Sequence, residues 1–140
     1  MLSILSYKNE GSVITVSKIF NVEEAPVYEN EGVYKMYVLA GKQLGAKNFT
    51  AVMYDYEPDW TTKTTHIHDA RESVYVILEG KARIHLNGEE HELEAGKVVY
   101  LSPGDMHGVI GSGPEGLKMI EVWAPQDPDI TYYEDGKVVE

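Results

Sequence analysis

The sequence predicts an all-β barrel or sandwich, on three observations. Short alternating runs rich in β-branched and aromatic residues recur through the 140-residue chain, Gly, Pro and Asn stand at most of the boundaries between them, and no stretch carries a helical period of useful length. The first run is residues 12–18 (SVITVSK), followed by 33–39 (VYKMYVL) and 49–56 (FTAVMYDY), with a single helical turn expected near 22–25. Next come 73–78 (SVYVIL), 82–86 (ARIHL), 98–101 (VVYL) and 118–123 (KMIEVW). Asn87-Gly88, between two alternating runs, is the sharpest hairpin signal, because both turn residues must accept a positive φ. Gly111-Ser112-Gly113-Pro114 reads as a turn between strands, and with no helix start beside it there is nothing there to hold a phosphate. The tail after Pro125 reads as a short hairpin turning at Asp135-Gly136, or as a partly loose segment.

Composition narrows the chemistry. The length suits one domain spanning residues 1–140, and a hydrophobic fraction of 43% with 25% charged residues fits a soluble globular protein. There is no cysteine, so disulfides and thiolate metal sites are excluded and any metal must bind nitrogen and oxygen. The net charge of −11 repels phosphate backbones, which argues against nucleic acid as a partner. The apolar start MLSILS is too short for a signal peptide and no run approaches membrane-spanning length, so a cytoplasmic location without membrane contact is expected.

The residues that could carry chemistry are histidines. In Thr64-Thr65-His66-Ile67-His68, alternate strand side chains share a face, so the two imidazoles project together, roughly 6.6 Å apart along the chain. Such a pair also describes an ordinary polar strand face. Glu72 follows four residues after His68, where the next strand should begin, and can either fold back as an anionic oxygen ligand or stay exposed. An apolar strand and a Pro103-Gly104 turn then lead to His107, which could face the pair from a neighbouring strand. His85 and His91 lie off this face: Ala82, Ile84 and Leu86 form the inward set, and His91 sits on an acidic hairpin arm. Trp60, Tyr54, Tyr56, Tyr75, Met53, Met106 and Met119 could line an apolar pocket beside the site, although core packing is the commoner fate of such residues.

In this order and spacing the features resemble the two motifs of the cupin superfamily. The first maps onto Trp60, His66, His68, Glu72 and Gly80, and the second onto Gly96, Ser102-Pro103-Gly104, His107 and Gly111, with fifteen residues between Gly80 and Gly96. The likeness covers about residues 50–123, with strands in 12–40 and the tail 125–140 as extensions. It implies a double-stranded β-helix, or jelly-roll barrel, holding one divalent ion (Fe, Mn, Ni, Cu or Zn) on His66, His68, His107 and Glu72. Three departures fall outside the ligands: Trp60 and Ser102 replace the usual glycine and proline, and Gly111 the usual asparagine. A fourth bears on the site, because seven residues separate Glu72 from Gly80 where the family has six. Strand faces alternate, so one extra residue decides which side chain points inward. Either a β-bulge in 73–78 absorbs it and leaves Glu72 inward, or Ser73 takes the position and the ion has three histidines plus water.

The resemblance implies a metal-dependent enzyme on a small oxygen-rich substrate. Dioxygenase chemistry is the commonest precedent; isomerases, decarboxylases and lyases share the ligand set. In that reading Glu72 completes the site or detaches to act as a base. The alternative is a noncatalytic module that captures a small ligand. A homodimer is expected, with the strand at 12–18 pairing a partner's edge.

Overall fold

The computed structural model describes residues 3–6, by their backbone alone, and residues 17–139. Among the described residues eleven strands form: β1 (Ser3–Ser6), β2 (Val27–Asn30), β3 (Tyr34–Ala40), β4 (Thr50–Tyr56), β5 (Thr64–Ile67), β6 (Glu72–Leu86), β7 (Glu89–Glu94), β8 (Val98–Leu101), β9 (His107–Ala124), β10 (Thr131–Glu134) and β11 (Lys137–Val139). Two 3₁₀ turns, Val22–Glu24 and Lys42–Leu44, are the helical elements among the described residues. No helix among them is long and apolar enough to cross a membrane. Of the strand expected at 12–18, residues 12–16 lie outside the described residues, and Ser17 and Lys18 are not in a strand.

Every strand pairing is antiparallel, and β9 organises them. Its C-terminal half pairs with β4 on one side and the first half of β6 on the other, while its N-terminal half pairs with β5 and the second half of β6. The two long strands β6 and β9, paired along their length, thus join all the others into one sheet that wraps the jelly-roll barrel expected from the motifs. The core is the inward row of each strand: Tyr56 from β4, Tyr75, Ile77, Ala82 and Ile84 from β6, Leu101 from β8, and Leu117 and Met119 from β9. Each large apolar side chain fully buried there contributes about 1.5–3 kcal/mol.

The runs at 73–78 and 82–86 are one strand, β6, because β9 pairs along both. Asn87 and Gly88 turn at φ 47° and 88°, as a two-residue hairpin between right-twisted strands requires. Gly111-Ser112-Gly113-Pro114 is not a turn between strands. The strand continues through it, and pairing with β6 jumps from Ser112 to Leu117, so residues 113–116 bulge out of β9. Glycine is required at this bend: a Cβ on Gly80 would lie 2.2 Å from the carbonyl oxygen of Gly116. The C-terminal tail is the hairpin alternative, turning at Asp135-Gly136, and β10 docks on β5 with Tyr132 opposite His66.

Candidate metal centre and active site

His66 and His107 are direct cross-strand partners on β5 and β9, and on one face of an antiparallel pair such residues stand side by side. His68 projects from the same face two residues after His66. The rings converge, with centroids 4.4 Å apart for His66–His107, 4.8 Å for His66–His68 and 5.2 Å for His68–His107. One ligand nitrogen from each lies within 4.8 Å of the others. Gly108, beside His107, keeps this junction tight, since a Cβ there would lie 3.2 Å from the Thr64 carbonyl oxygen.

Hydrogen bonds set the tautomers. A backbone carbonyl can only accept, so Nδ1 of His107, 3.0 Å from the Asp105 oxygen, carries its proton, and Nδ1 of His68 likewise donates to the Asp129 oxygen. Both Nε2 atoms keep free lone pairs, the arrangement in which histidines bind metals. Nε2 of His107 is buried with no hydrogen-bond partner. An orphaned buried acceptor beside two further imidazole nitrogens fits a metal ion. Burial, reinforced by the other two imidazoles, lowers the His66 pKa to about 3, and burial lowers that of His107 to about 4; His68 also lies below its ordinary value through burial. All three rings are neutral at physiological pH, as ligation demands.

Glu72 does not join them. It is exposed, and its carboxylate accepts a 2.7 Å hydrogen bond from the Tyr100 hydroxyl. Ser73, 3% exposed, faces inward instead, which is the second of the two sequence-level alternatives. The bulge exists but acts the other way. The buried row of β6 runs Ser73, Tyr75, Ile77 and then Ala82, Ile84, changing from odd to even positions where the register slips at Leu78. Without that extra residue the even row would continue back to Glu72; with it, Glu72 is turned out.

The carboxylate that does reach the interior is Glu121. It lies near the C-terminal end of β9 between Val52 of β4 and Tyr75 of β6, and is 7% exposed. Burial raises its pKa to about 7, against the opposing pull of the Arg71 charge and the Ser73 and Tyr54 hydroxyls. The sequence carried one signal for it: Leu117, Met119, Glu121 and Trp123 share a face of the expected strand. Ile120 and Val122 make the other face apolar too, so periodicity did not single it out.

Glu121, His66 and His68 line a cavity of about 310 Å³ together with Tyr34, Tyr54, Tyr56, Tyr75, Trp60, Trp123, Met119 and Tyr132. His107, 1% exposed, lies behind them in ring contact with both histidines. Of the pocket candidates read from the sequence, Trp60, Tyr54, Tyr56, Tyr75 and Met119 line it; Met53 and Met106 do not. Tyr54, Tyr56 and Tyr75 are held protonated by burial first and by the Glu121 charge and neighbouring tyrosines after it. His85 and His91 stay away from the site: His85 accepts from the Gly88 backbone, and His91 is exposed beside Glu89.

Sequence reading also missed Asp129, on the segment leading into β10. Its carboxylate accepts from the backbone N–H groups of Asp69, Ala70 and Arg71, while its carbonyl holds His68. No local pattern marks a contact spanning some sixty residues.

Comparison with known proteins agrees with the fold. Solved structures share the fold: a double-stranded β-helix protein of Klebsiella pneumoniae (26% identity, TM-score 0.68, covering 86% of this chain and 100% of that one), and the polyketide cyclase RemF of Streptomyces resistomycificus (22%, 0.68, 82% and 84%). The Streptomyces nucleoside dehydratase Pac13 is similar at 17% identity and TM-score 0.66, covering 85% and 92%. The last two likenesses concern the fold alone. Curated proteins give no sequence match. The family model for the cupin domain matches residues 52–123, just over half of the chain, and the protein belongs to the cupin family.

Proposed function

We propose that the protein is a metal-dependent enzyme that moves protons on a small oxygen-rich substrate, as isomerases, dehydratases, cyclases and other lyases do. One observation carries this reading: His66, His68 and a single buried carboxyl, Glu121, line the same small cavity, with His107 packed against the two histidines behind its wall. A divalent ion held by His66, His68 and His107 would polarise a substrate carbonyl or hydroxyl oxygen. The three-nitrogen donor set suits Fe, Mn, Ni, Cu or Zn alike. Glu121, with a pKa close to neutral, can take a proton from a carbon or oxygen acid and return it elsewhere, which is what a general acid–base needs. Tyr54 and Tyr75, held protonated, donate hydrogen bonds to oxygen, and the aromatic walls shed water from the site. The cyclase and dehydratase activities named for two structural neighbours support chemistry of this kind.

Dioxygenase chemistry uses the same three imidazoles, so the test must separate the two. Metal-loaded protein is incubated with a panel of keto-sugars and diketones under argon and under air, with products read by NMR. Turnover under argon, reduced roughly 10²–10⁴-fold in Glu121→Gln, is the expected result. Turnover that requires and consumes oxygen would make the protein a dioxygenase instead. Tight binding with no product would make it a noncatalytic module.

A further inference from the structure

Arg71 is the one cation among the residues lining the histidine cavity, and Glu121 the one carboxylate. The Arg71 guanidinium lies 4.8 Å over the Trp123 ring. Its Nε is buried without a hydrogen-bond partner, and it takes part in none of the ion pairs among the described residues. Its charge is felt by His66, His68, His107 and Glu121, so it stands within electrostatic reach of the whole reacting face. The residue is fixed at both ends, by the Asp129 carboxylate at its backbone N–H (3.1 Å) and by Trp123 at its head.

A guanidinium nitrogen withdrawn from water and left unpaired is costly, and anchoring the half-buried Arg71 so firmly for packing alone leaves that cost standing. An anion in the cavity removes it. Glu121 does not serve, because it is within charge range but not ion-paired, and burial favours its neutral form. A divalent ion on the histidines would add positive charge beside Arg71, and the two together outweigh one carboxylate. The planar fork of arginine matches a carboxylate with two parallel hydrogen bonds. The space left is small and walled by tyrosine and tryptophan rings, which suits a flat or ring-shaped body.

We propose that Arg71 is the anion-binding residue of this cavity, and that its ligand is a carboxylate on a small ring-sized body stacked against the aromatic wall. The proposal rests on the cavity being the substrate site, as in the proposed function, but not on the reaction assigned to it.

The test measures binding by the metal-free 140-residue chain, labelled with ¹⁵N, titrated at pH 6 with benzoate and with its uncharged analogue benzamide. Benzoate should move the Arg71 Nε–H resonance and bind at least about tenfold more tightly than benzamide. Arg71→Lys should narrow that preference and Arg71→Met abolish it, both with wild-type circular dichroism and with metal content restored on reloading. Equal binding of the two probes, no binding of benzoate, or a preference that survives Arg71→Met would overturn the proposal. If the variants misfold, the wild-type resonance decides: a benzoate complex that leaves Arg71 Nε–H unmoved overturns it as well. A carboxylate preference in a protein without turnover would leave Arg71 its role and remove the enzyme reading. Turnover without that preference would do the reverse.

Discussion

Glu72 and Glu121 stand on adjacent, hydrogen-bonded strands, and they meet opposite fates. Glu72 opens β6 in the position the metal-binding motif of the resemblance asks for, yet it is exposed and bonded to Tyr100. Glu121 sits in an apolar run of β9 that advertises nothing, yet it is buried against the histidine cavity with its pKa raised to about 7. The two residues are chemically identical. What separates them is parity: which of two alternating rows each occupies, and where a single extra residue switches the rows. A carboxylate's chemistry in a barrel is therefore decided by counting along the pleat, and a motif that tolerates one insertion can lose a ligand without losing its shape.

The strongest way to break this comparison is to remove the switch. Deleting Leu78 forces either the Ser73–Tyr75–Ile77 row or the Ala82–Ile84 row to face outward. Exposing Tyr75 and Ile77 alone forfeits about 1.5–3 kcal/mol for each, a large share of the stability of a typical domain. Urea unfolding should show the deletion severely destabilised or unfolded, whereas Leu78→Ala, at a residue 40% exposed, stays near wild type. A deletion variant as stable as Leu78→Ala would mean that parity is not what holds Glu72 out.

Metal content sharpens the contrast next. His107→Ala removes an imidazole whose Nε2 has no hydrogen-bond partner and which belongs to the cluster that could hold a metal, so elemental analysis should show metal lost, while Glu72→Ala retains it in full. Loss of metal in Glu72→Ala would restore Glu72 to the ligand set. Because His66 and His107 stay neutral down to about pH 4 and burial lowers His68 as well, metal should be held to lower pH than histidines with ordinary pKa values near 6.5 allow.

The smallest effect is on the pH dependence of stability, in metal-free protein. Glu121 titrates near 4.5 in the unfolded chain and about 7 in the fold, so between those values the native state keeps a proton that the unfolded state gives up. Its contribution is full below pH 4.5 and falls as pH rises to 7, by on the order of 3 kcal/mol. His66 and His107, depressed from 6.5 to about 3 and about 4, act oppositely: their contribution is full above pH 6.5 and is lost as pH falls through those values. Denaturant unfolding should therefore place the wild-type maximum at about pH 6.5, with a decline above it that Glu121→Gln abolishes. Parallel wild-type and Glu121→Gln curves would contradict the burial assigned to Glu121.

Much of this was legible in the residues. The strand runs from residue 33 onward, the Asn87-Gly88 hairpin and the tail hairpin at Asp135-Gly136 appear where local pattern placed them, and His107 converges with His66 and His68 in the way the strand and turn before it allowed. The bulge was foreseen within residues 73–78, but not its effect, because its position relative to the inward row depends on how β9 pairs with β6. Residues 111–114 read as a turn between strands, where the structure has a bulge at 113–116 within β9, because glycine and proline mark bends without saying whether a strand resumes beyond them. Arg71 and Asp129 carried no local signal, since their importance lies in contacts with Trp123 and His68 far along the chain.

By itself, then, the order of amino acids determined most of the strands and turns and the presence of three imidazole donors, because those follow from backbone preferences and from side-chain identity, while burial in the assembled barrel keeps the rings neutral. Which carboxylate enters the barrel, which arginine waits there unpaired, and which distant carbonyl orients His68 were decided only when β9 laid itself between β4, β5 and β6. Those outcomes depend on register between strands, and register is a property of the assembled sheet.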